Sequence, residues 1–348
     1  MIELNQPKAQ RGSASLSFGT TFTDHMLLAE YEENAGWSRY RIEAYAPFSL
    51  DPATAVFHYG QAIFEGLKAY RGDDGCVRLF RPKTYIQRLN TSAQRMCMPA
   101  LDPTECFSAL IDFVRREQDA VPAGDGTSFY LRPAMIASEP FLGVRPAKRY
   151  LFFVIASPAG SYYDEERPLR IRVEDRYIRA AQGGLGAAKT GANYAASLLA
   201  SEEAHRDGFD QVVWLDAARS EYLEEMGTMN IMLRLGGEVV TPPLGGTILP
   251  GVIRDSVLRL LSDWGIPVTE RAISVDEVVA ASGNGTLQEA WGTGTAAGIV
   301  PIGELEYRNQ RLVINGGAAG ELSGRLKTAL ADIQYGRAPD RHKWTVAV

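Results

Sequence analysis

The sequence has little of what metal, disulfide, membrane or nucleic-acid chemistry requires. It contains three cysteines, Cys76, Cys97 and Cys106, in no C-x-x-C spacing, and four scattered histidines, so we expect reduced thiols and no metal site. The formal net charge of −6 argues against nucleic acid as the main partner. The first residues lack the apolar core of a signal peptide, and no apolar run approaches the ~18 residues of a membrane helix. We therefore expect a cytoplasmic protein that contacts no membrane.

Lysine is also scarce, which makes one lysine conspicuous. Seven lysines occur in 348 residues, and Lys189 lies within GGLGAAKTGANY, among glycines and alanines too small to shield it. Two chemistries require a lysine in such a place. A P-loop of form G-x-x-x-x-G-K-[ST] wraps phosphates in backbone N–H groups, and a Schiff-base lysine needs room for a flat cofactor. The simplest alternative is a glycine-rich loop with an incidental surface lysine.

The match to a P-loop is incomplete. Gly183 and Lys189-Thr190 fall at the required positions, but Ala188 replaces the second glycine, where the backbone often takes positive φ. A P-loop directly follows a strand, whereas the nearest strand-like run ends at Val173, about ten residues too early. Nucleotide binding is therefore the weaker of the two functional hypotheses.

Three further segments favour a ring cofactor that carries a phosphate. TILPGV, residues 247–252, places backbone N–H groups just before a predicted helix, which is a natural phosphate site. GTGTAAG, residues 292–298, is a turn whose small residues and hydroxyls can surround an anion. EEMGTMN, residues 224–230, supplies the acid that a pyridine nitrogen requires. Together with Lys189, they favour pyridoxal phosphate over a nucleotide.

The N-terminal half offers two ambiguous patterns. Arg88 lies beside the apolar stripe of a predicted helix, where a solvated arginine is the default interpretation. Tyr130 and Arg132 share one face of a predicted strand, which is either a solvated edge or a site wall. Strand and helix patterns alternate irregularly along the chain, so we predict an α+β fold rather than a doubly wound sheet. The length favours two domains.

Nine segments in matching order resemble the branched-chain amino acid aminotransferase family of pyridoxal-phosphate fold type IV. They are FGTTFTDHM, HYGQAIFEGLKAYR, LFRP, GTSFYLRP, EPFLGV, KTGANYAAS, EEMGTMNIM, TPPLGGTILPGV and WGTGTAAG. The resemblance as a whole runs from about Phe18 to Tyr335. The resemblance implies a small N-terminal α/β domain over 1–157, an interdomain loop over 158–168, and a larger C-terminal pseudo-barrel domain over 169–348. It also implies a homodimer with the cofactor between the domains.

The resemblance assigns roles to individual residues. Lys189 is the catalytic residue, which bonds to pyridoxal phosphate and moves a proton. Glu225 pairs with the ring nitrogen and Tyr194 meets the ring hydroxyl. The full set of cofactor-binding residues is Arg88, Lys189, Tyr194, Glu225, Thr228, Thr247, Ile248 and Thr295. The substrate-binding set is Phe18, Tyr59, Tyr130, Arg132, Thr228 and Ala296, with Leu142 and Val144 reaching in from the partner subunit. Arg132 would take the γ-carboxylate of glutamate.

The implied reaction is the reversible transfer of the amino group of leucine, isoleucine or valine to 2-oxoglutarate, by a ping-pong mechanism. A D-amino acid aminotransferase or an aminodeoxychorismate lyase would share the fold and differ in substrate and stereochemistry. A P-loop NTPase would bind nucleotide and carry no chromophore. A non-catalytic binding protein would leave the lysine, the acid and the phosphate sites unused.

Overall fold

The computed structural model describes residues 18–163 and 167–348. The expected absence of a signal peptide concerns residues 1–17, which lie outside the described residues. Residues 164–166, part of the predicted interdomain loop, also lie outside them.

Helices and strands are interspersed along the described chain, which confirms the predicted mixed α+β class. The helices are α1 Ala55–Tyr59, α2 Pro82–Arg95, α3 Pro103–Arg116, α4 Gly191–Arg206, α5 Val252–Asp263, α6 Val275–Gly283 and α7 Glu321–Tyr335. The strands are β1 His25–Glu32, β2 Gly36–Trp37, β3 Arg41–Ala44, β4 Ala62–Phe64, β5 Leu67–Arg71, β6 Val77–Phe80, β7 Ser128–Ala137, β8 Arg149–Ala159, β9 Leu169–Glu174, β10 Gln211–Leu215, β11 Leu223–Met226, β12 Met229–Leu235, β13 Glu238–Thr241, β14 Val268–Glu270, β15 Leu287–Gly294, β16 Gly298–Tyr307, β17 Gln310–Val313 and β18 Thr345–Ala347.

One compact unit comprises the described residues through Tyr162 together with Asp332–Val348. Its antiparallel sheet has the order β18-β6-β5-β7-β8-β1-β2, with β3 on β1 and β4 on β7. The predicted domain over 169–348 includes these last residues, which make their contacts in this unit. The reason is a long-range pairing, since β18 lies against β6 and Trp344 packs edge-on against Phe80.

The other compact unit is Tyr163–Ala331, and its central sheet closes on itself. The strands follow the order β11-β10-β9-β16-β15-β12, and β11 also pairs with β12, which makes a six-stranded barrel and confirms the predicted pseudo-barrel. Alternate residues of β12, Met229, Ile231 and Leu233, belong to one apolar core with Ile171 and Val213. The intervening residues of β12 therefore face the other side of the barrel wall.

A buried glutamate holds the start of α7. Glu289 on β15 accepts hydrogen bonds from the backbone N–H groups of Leu322 and Ser323, both at 2.9 Å, and from Arg234 at 3.2 Å. A Cβ at Gly320 would overlap the Glu289 carboxylate, so this close approach requires glycine. The arrangement satisfies helix N–H groups that have no intrahelical partner and places negative charge at the positive end of the helix.

We expect Glu289→Gln to lower the free energy of unfolding by about 1–3 kcal/mol, because charged hydrogen bonds become neutral ones and one oxygen becomes a donor facing helix N–H groups. Urea unfolding would measure the change. The control is Glu321→Gln, the same substitution at the exposed first residue of α7, which should cost no more than about 1 kcal/mol. If both variants lost the same free energy of unfolding, Glu289 would stabilise the protein only through its negative charge near the start of α7.

Candidate active site

The loop that carries Lys189 is fastened to the helix that follows it. α4 begins at Gly191, and Asn193 in its first turn donates to the backbone oxygens of Leu185 and Ala188 at 2.8 and 2.9 Å. The loop therefore has a defined path into α4, and Lys189 is half-buried at its end. The last strand before it, β9, ends at Glu174, which leaves a segment longer than a P-loop allows.

Four of the predicted residues line a single cavity. Lys189, Tyr194, Glu225 and Thr228 lie around it with Arg179, Ala188, Asn193, Ser197, Gly227 and Leu249. Lys189 Nζ donates to Tyr194 Oη at 2.5 Å. An amine, a phenol and a buried carboxyl group therefore meet around one cavity.

Glu225 is the most enclosed of these groups, at 3% exposure. Its Oε1 accepts hydrogen bonds from Leu249 N at 2.7 Å and Asn230 Nδ2 at 3.3 Å. Its Oε2 lies 3.2 Å from Arg179 Nε, although that nitrogen is not aligned for a hydrogen bond, so the contact is an ion pair. Burial raises the pKa of Glu225, and the positive charge of Arg179 and the Leu249 N–H only partly oppose this rise.

Arg179 also ties neighbouring segments together. Its guanidinium donates to the backbone oxygens of Gly186, at 3.2 Å, and Thr247. The loop before Lys189 and the segment that leads to α5 are thus joined through one arginine, which is itself largely buried. Glu224 is buried beside it, and its pKa is raised by burial despite a hydrogen bond from the Thr247 side chain.

The remaining predicted residues of this unit lie close in sequence to the barrel strands but do not line the cavity. Thr247 is half-buried and Ile248 buried, four residues before the start of α5. Thr295 and Ala296 are in the turn between β15 and β16, also half-buried. The structure places all four on the connections that precede α5 and β16, and phosphate sites are commonly built on such connections.

The donor set fits pyridoxal phosphate. The cofactor has an aldehyde, a ring hydroxyl and a ring nitrogen, and the cavity presents an amine at Lys189, a phenol at Tyr194 and a buried acid at Glu225. A carboxyl group with this much burial needs a positive partner, and Arg179 supplies only one contact of unfavourable geometry. A protonated ring nitrogen would complete the pairing.

In the other unit, three of the predicted substrate residues form one cluster. Arg132 donates to Tyr130 Oη at 3.1 Å, and its guanidinium lies over the ring of Phe64, 4.7 Å from the centroid. Phe18 packs edge-on against Tyr130, with centroids 4.7 Å apart. The guanidinium is therefore held against aromatic rings, and its buried Nε has no hydrogen-bond partner among the described residues.

Arg88 differs from the simplest interpretation of its sequence. Its side chain is only 9% exposed, and it forms a bidentate pair with Glu65, Nε to Oε1 at 2.7 Å and Nη2 to Oε2 at 2.8 Å. The default interpretation of Arg88 as a solvated arginine is therefore wrong. A buried pair of this geometry fixes the direction of the guanidinium.

Tyr59, Leu142 and Val144 are exposed. Tyr59 ends the short helix α1 at 43% exposure, and Leu142 and Val144 lie after β7 at 68% and 89%. Their surfaces face solvent around this single chain, in contrast to the buried Tyr130. The assignment of these three residues to substrate binding therefore stays a prediction.

Sequence reasoning missed two residues that contact Glu225. Arg179 stands outside every motif, and only its contacts with Glu225 and Thr247 reveal it. Asn230 lies inside EEMGTMN, but nothing in that motif indicates that its side chain bonds to the backbone of Leu249, in the segment before α5. Within residues 18–163 and 167–348, no group of three or more His, Cys, Asp or Glu could hold a metal ion. No helix in that same part is long and apolar enough to cross a membrane.

Comparisons with known proteins identify the family of this chain. The chain matches the amino-transferase class IV family over residues 62–305. It is 52% identical over 343 residues to branched-chain-amino-acid transaminase 1 of Bacillus subtilis, covering 98% of this chain and 96% of that protein. Two similar solved structures each have a TM-score of 0.76. The branched-chain amino acid aminotransferase of Escherichia coli is 26% identical, and the match covers 91% of this chain and 98% of that one. The branched-chain amino acid aminotransferase of Thermobaculum terrenum in its PLP-form is 24% identical, and the match covers 93% of this chain and 99% of that one.

The chain belongs to the class IV aminotransferase family. Within that family it belongs with the branched-chain-amino-acid transaminases, so the predicted enzyme class and function are confirmed. The predicted cofactor, pyridoxal phosphate, is confirmed with the family. Nucleotide hydrolysis and non-catalytic binding are thereby excluded as the main function.

Proposed function

We propose that the enzyme moves the amino group of L-leucine, L-isoleucine or L-valine to 2-oxoglutarate, and back, in two half-reactions at one site. The observation that carries this proposal is the meeting of Lys189, Tyr194 and the buried Glu225 around one cavity. Formation of glutamate from L-leucine and 2-oxoglutarate, with no reaction of D-leucine, would test it. Reaction of the D-enantiomer would favour a D-amino acid aminotransferase.

The cofactor would be held by groups on several segments. We assign Glu225 to the ring nitrogen, Tyr194 to the ring hydroxyl, and Arg88, the Ile248 N–H and Thr295 to the phosphate, with Thr228 nearby. Thr247 would contribute through its backbone, because its hydroxyl bonds to Glu224. When bound, pyridoxal phosphate supplies the electron sink for bond breaking at the substrate α carbon.

Lys189 would move the proton. Its Nζ is the lysine amine among the residues that line the cavity. We assign it to take the proton from the α carbon of the substrate and to deliver it to C4′ of the cofactor, and to move a proton in the opposite direction in the second half-reaction. The hydrogen bond to Tyr194 Oη fixes the direction from which the amine approaches. Thr228 and Ala296 would offer N–H or hydroxyl donors to the α-carboxylate of the substrate.

The second carboxylate of glutamate requires a separate explanation, because an unpaired carboxylate in an apolar pocket is costly. Phe18, Tyr59 and Tyr130 would present aromatic surface to leucine, whereas Arg132 carries a positive charge against the rings of Tyr130 and Phe64. We assign Arg132 to the γ-carboxylate of glutamate and 2-oxoglutarate.

We expect Arg132→Met to slow the half-reactions with glutamate and 2-oxoglutarate by roughly 10- to 150-fold, the loss of one charged hydrogen-bonded contact. The leucine half-reaction should change much less, because an apolar side chain needs no charge. Single-turnover kinetics with each amino acid would separate the effects. Arg115→Met, the same change at an exposed site on α3, is the control. Equal losses for leucine and glutamate would assign Arg132 to the fold or the cofactor.

We also propose a homodimer in the cytoplasm. The loop after β7 is braced by the Glu139–Arg145 ion pair at 2.8 Å and by Arg145 stacked on Phe141, yet it presents Leu142 and Val144 to solvent. A rigid loop with exposed apolar tips suits a contact with a second copy of the chain. A sedimentation mass equal to that of one chain would contradict the dimer. The free cysteines suit a reducing compartment.

A further inference from the structure

The side chain of Asn230 bridges Glu225, the buried carboxyl group of the cavity, and Leu249 in the segment before α5. It is buried on β12, paired in register with Glu225 on β11 and with Thr293 on β15. Its Nδ2 donates to Glu225 Oε1 at 3.3 Å and to the backbone oxygen of Leu249 at 3.0 Å. Leu249 N donates to the same Oε1 at 2.7 Å. The three residues thus form a closed ring of hydrogen bonds.

Only a primary amide suits this position. Both hydrogens of the Asn230 amide are used, one toward a carboxylate and one toward a carbonyl, and the group adds no charge beside Glu225. Aspartate would place an acceptor against two acceptors, and an apolar residue would supply no donor. The neighbouring backbone fits the amide closely, because a Cβ at Gly251 would overlap Asn230 Oδ1.

We propose that Asn230 is a positioning residue for the reaction, which fixes the Oε1 side of Glu225 and couples that carboxylate to the segment 247–251. The inference rests on the proposed role of Glu225 at the ring nitrogen. It concerns the same segment that would supply the Ile248 N–H to the phosphate, so one amide would align two cofactor contacts.

The amide also favours the charged form of Glu225. Donors to a carboxylate stabilise its ionised state, and that state is the one that can hold a protonated ring nitrogen. The charged groups that face Glu225 are Arg179 and Lys189, which lower its pKa, and Glu224, which raises it. Burial is the largest influence and raises the pKa, so the loss of a donor would raise it further.

Two variants of Asn230 test the inference. Asn230→Leu keeps the branching and the number of heavy atoms of the side chain and removes both donors, and Asn230→Asp keeps the shape but replaces the donor with an acceptor beside Glu225. The control is Met232→Leu, a volume-conserving change on the same face of β12. The readouts are the affinity of the apoenzyme for pyridoxal 5'-phosphate and the pH profile of the leucine half-reaction.

We expect Asn230→Leu to weaken cofactor affinity by roughly 10- to 100-fold and to move the acidic limb of the pH profile to higher pH. Asn230→Asp should weaken cofactor affinity more and shift the acidic limb of the pH profile further, because two close carboxylates cannot both ionise easily. Met232→Leu should change neither. If Asn230→Leu does not fold, Asn230→Asp, which keeps the shape, decides the matter.

Glu225→Gln, measured in parallel, separates two kinds of failure. If Glu225→Gln slows the half-reaction while both Asn230 variants match Met232→Leu, the positioning role is wrong and the proposed function stands. If the Asn230 variants lose affinity and folding stability without any shift of the pH profile, Asn230 is merely structural and the inference is overturned. If Glu225→Gln itself has no effect, Glu225 is not at the ring nitrogen, and the inference falls with that assignment.

Discussion

Replacement of Lys189 by alanine should reduce turnover by roughly 10²–10⁴-fold or more, the usual range for loss of a general base. The physical reason is that no other lysine amine lies among the residues that line the cavity, so the α-carbon proton loses its acceptor. Cofactor should still bind, because the proposed contacts to the ring and phosphate come from Tyr194, Glu225, Arg88 and the segments around Ile248 and Thr295.

Single-turnover kinetics with leucine would measure the chemical step, and absorbance would report the bound cofactor. Borohydride treatment of the unmodified enzyme should attach the chromophore to a peptide that contains Lys189. Lys83→Ala, on the exposed face of α2, is the control and should keep full activity. Near-normal turnover in Lys189→Ala, or a chromophore attached elsewhere, would remove Lys189 from the catalytic role.

The sequence predicted features that depend on neighbouring residues. Lys189 and Tyr194 are five residues apart, on a loop and on the first turns of α4, so one local motif was enough to bring Nζ and Oη together. Glu225 and Thr228 likewise come from one motif on β11 and the turn after it. The barrel followed from the family resemblance, because strand periodicity alone does not say which strand closes against which.

Features that depend on distant partners could not be read from local patterns. The helix pattern predicts a solvated Arg88 because Glu65, its partner 23 positions away, lies between β4 and β5, outside the helix whose periodicity is read. Arg179 reaches Thr247 across 68 positions, and β18 pairs with β6 across most of the chain. Single-sequence reasoning sees periodicity and turn chemistry, whereas these contacts are set by the tertiary fold.

A second large effect is expected at Glu225. Glu225→Gln keeps the size of the side chain and can still accept the Leu249 N–H, but it removes the negative charge. Loss of one partner from a buried ion pair costs about 3–5 kcal/mol, so the rate of α-carbon deprotonation should fall by roughly 10²–10³-fold or more. Arg179 would also lose its buried counter-charge, so the free energy of unfolding should fall as well.

The matched control is Glu224→Gln, the same substitution at the adjacent buried position of β11. Burial raises the pKa of Glu224, and its Oε2 has no hydrogen-bond partner among the described residues. We therefore expect Glu224→Gln to slow α-carbon deprotonation far less than Glu225→Gln does.

Single-turnover rates with leucine, compared with unfolding free energies for both variants, would separate a chemical effect from a structural one. If the two variants lost rate equally, in proportion to stability, the effect would belong to any buried acid on β11, and the ring nitrogen would need another partner. If Glu225→Gln alone lost rate, and by more than its lower stability explains, the negative charge of Glu225 would be assigned to the reaction itself.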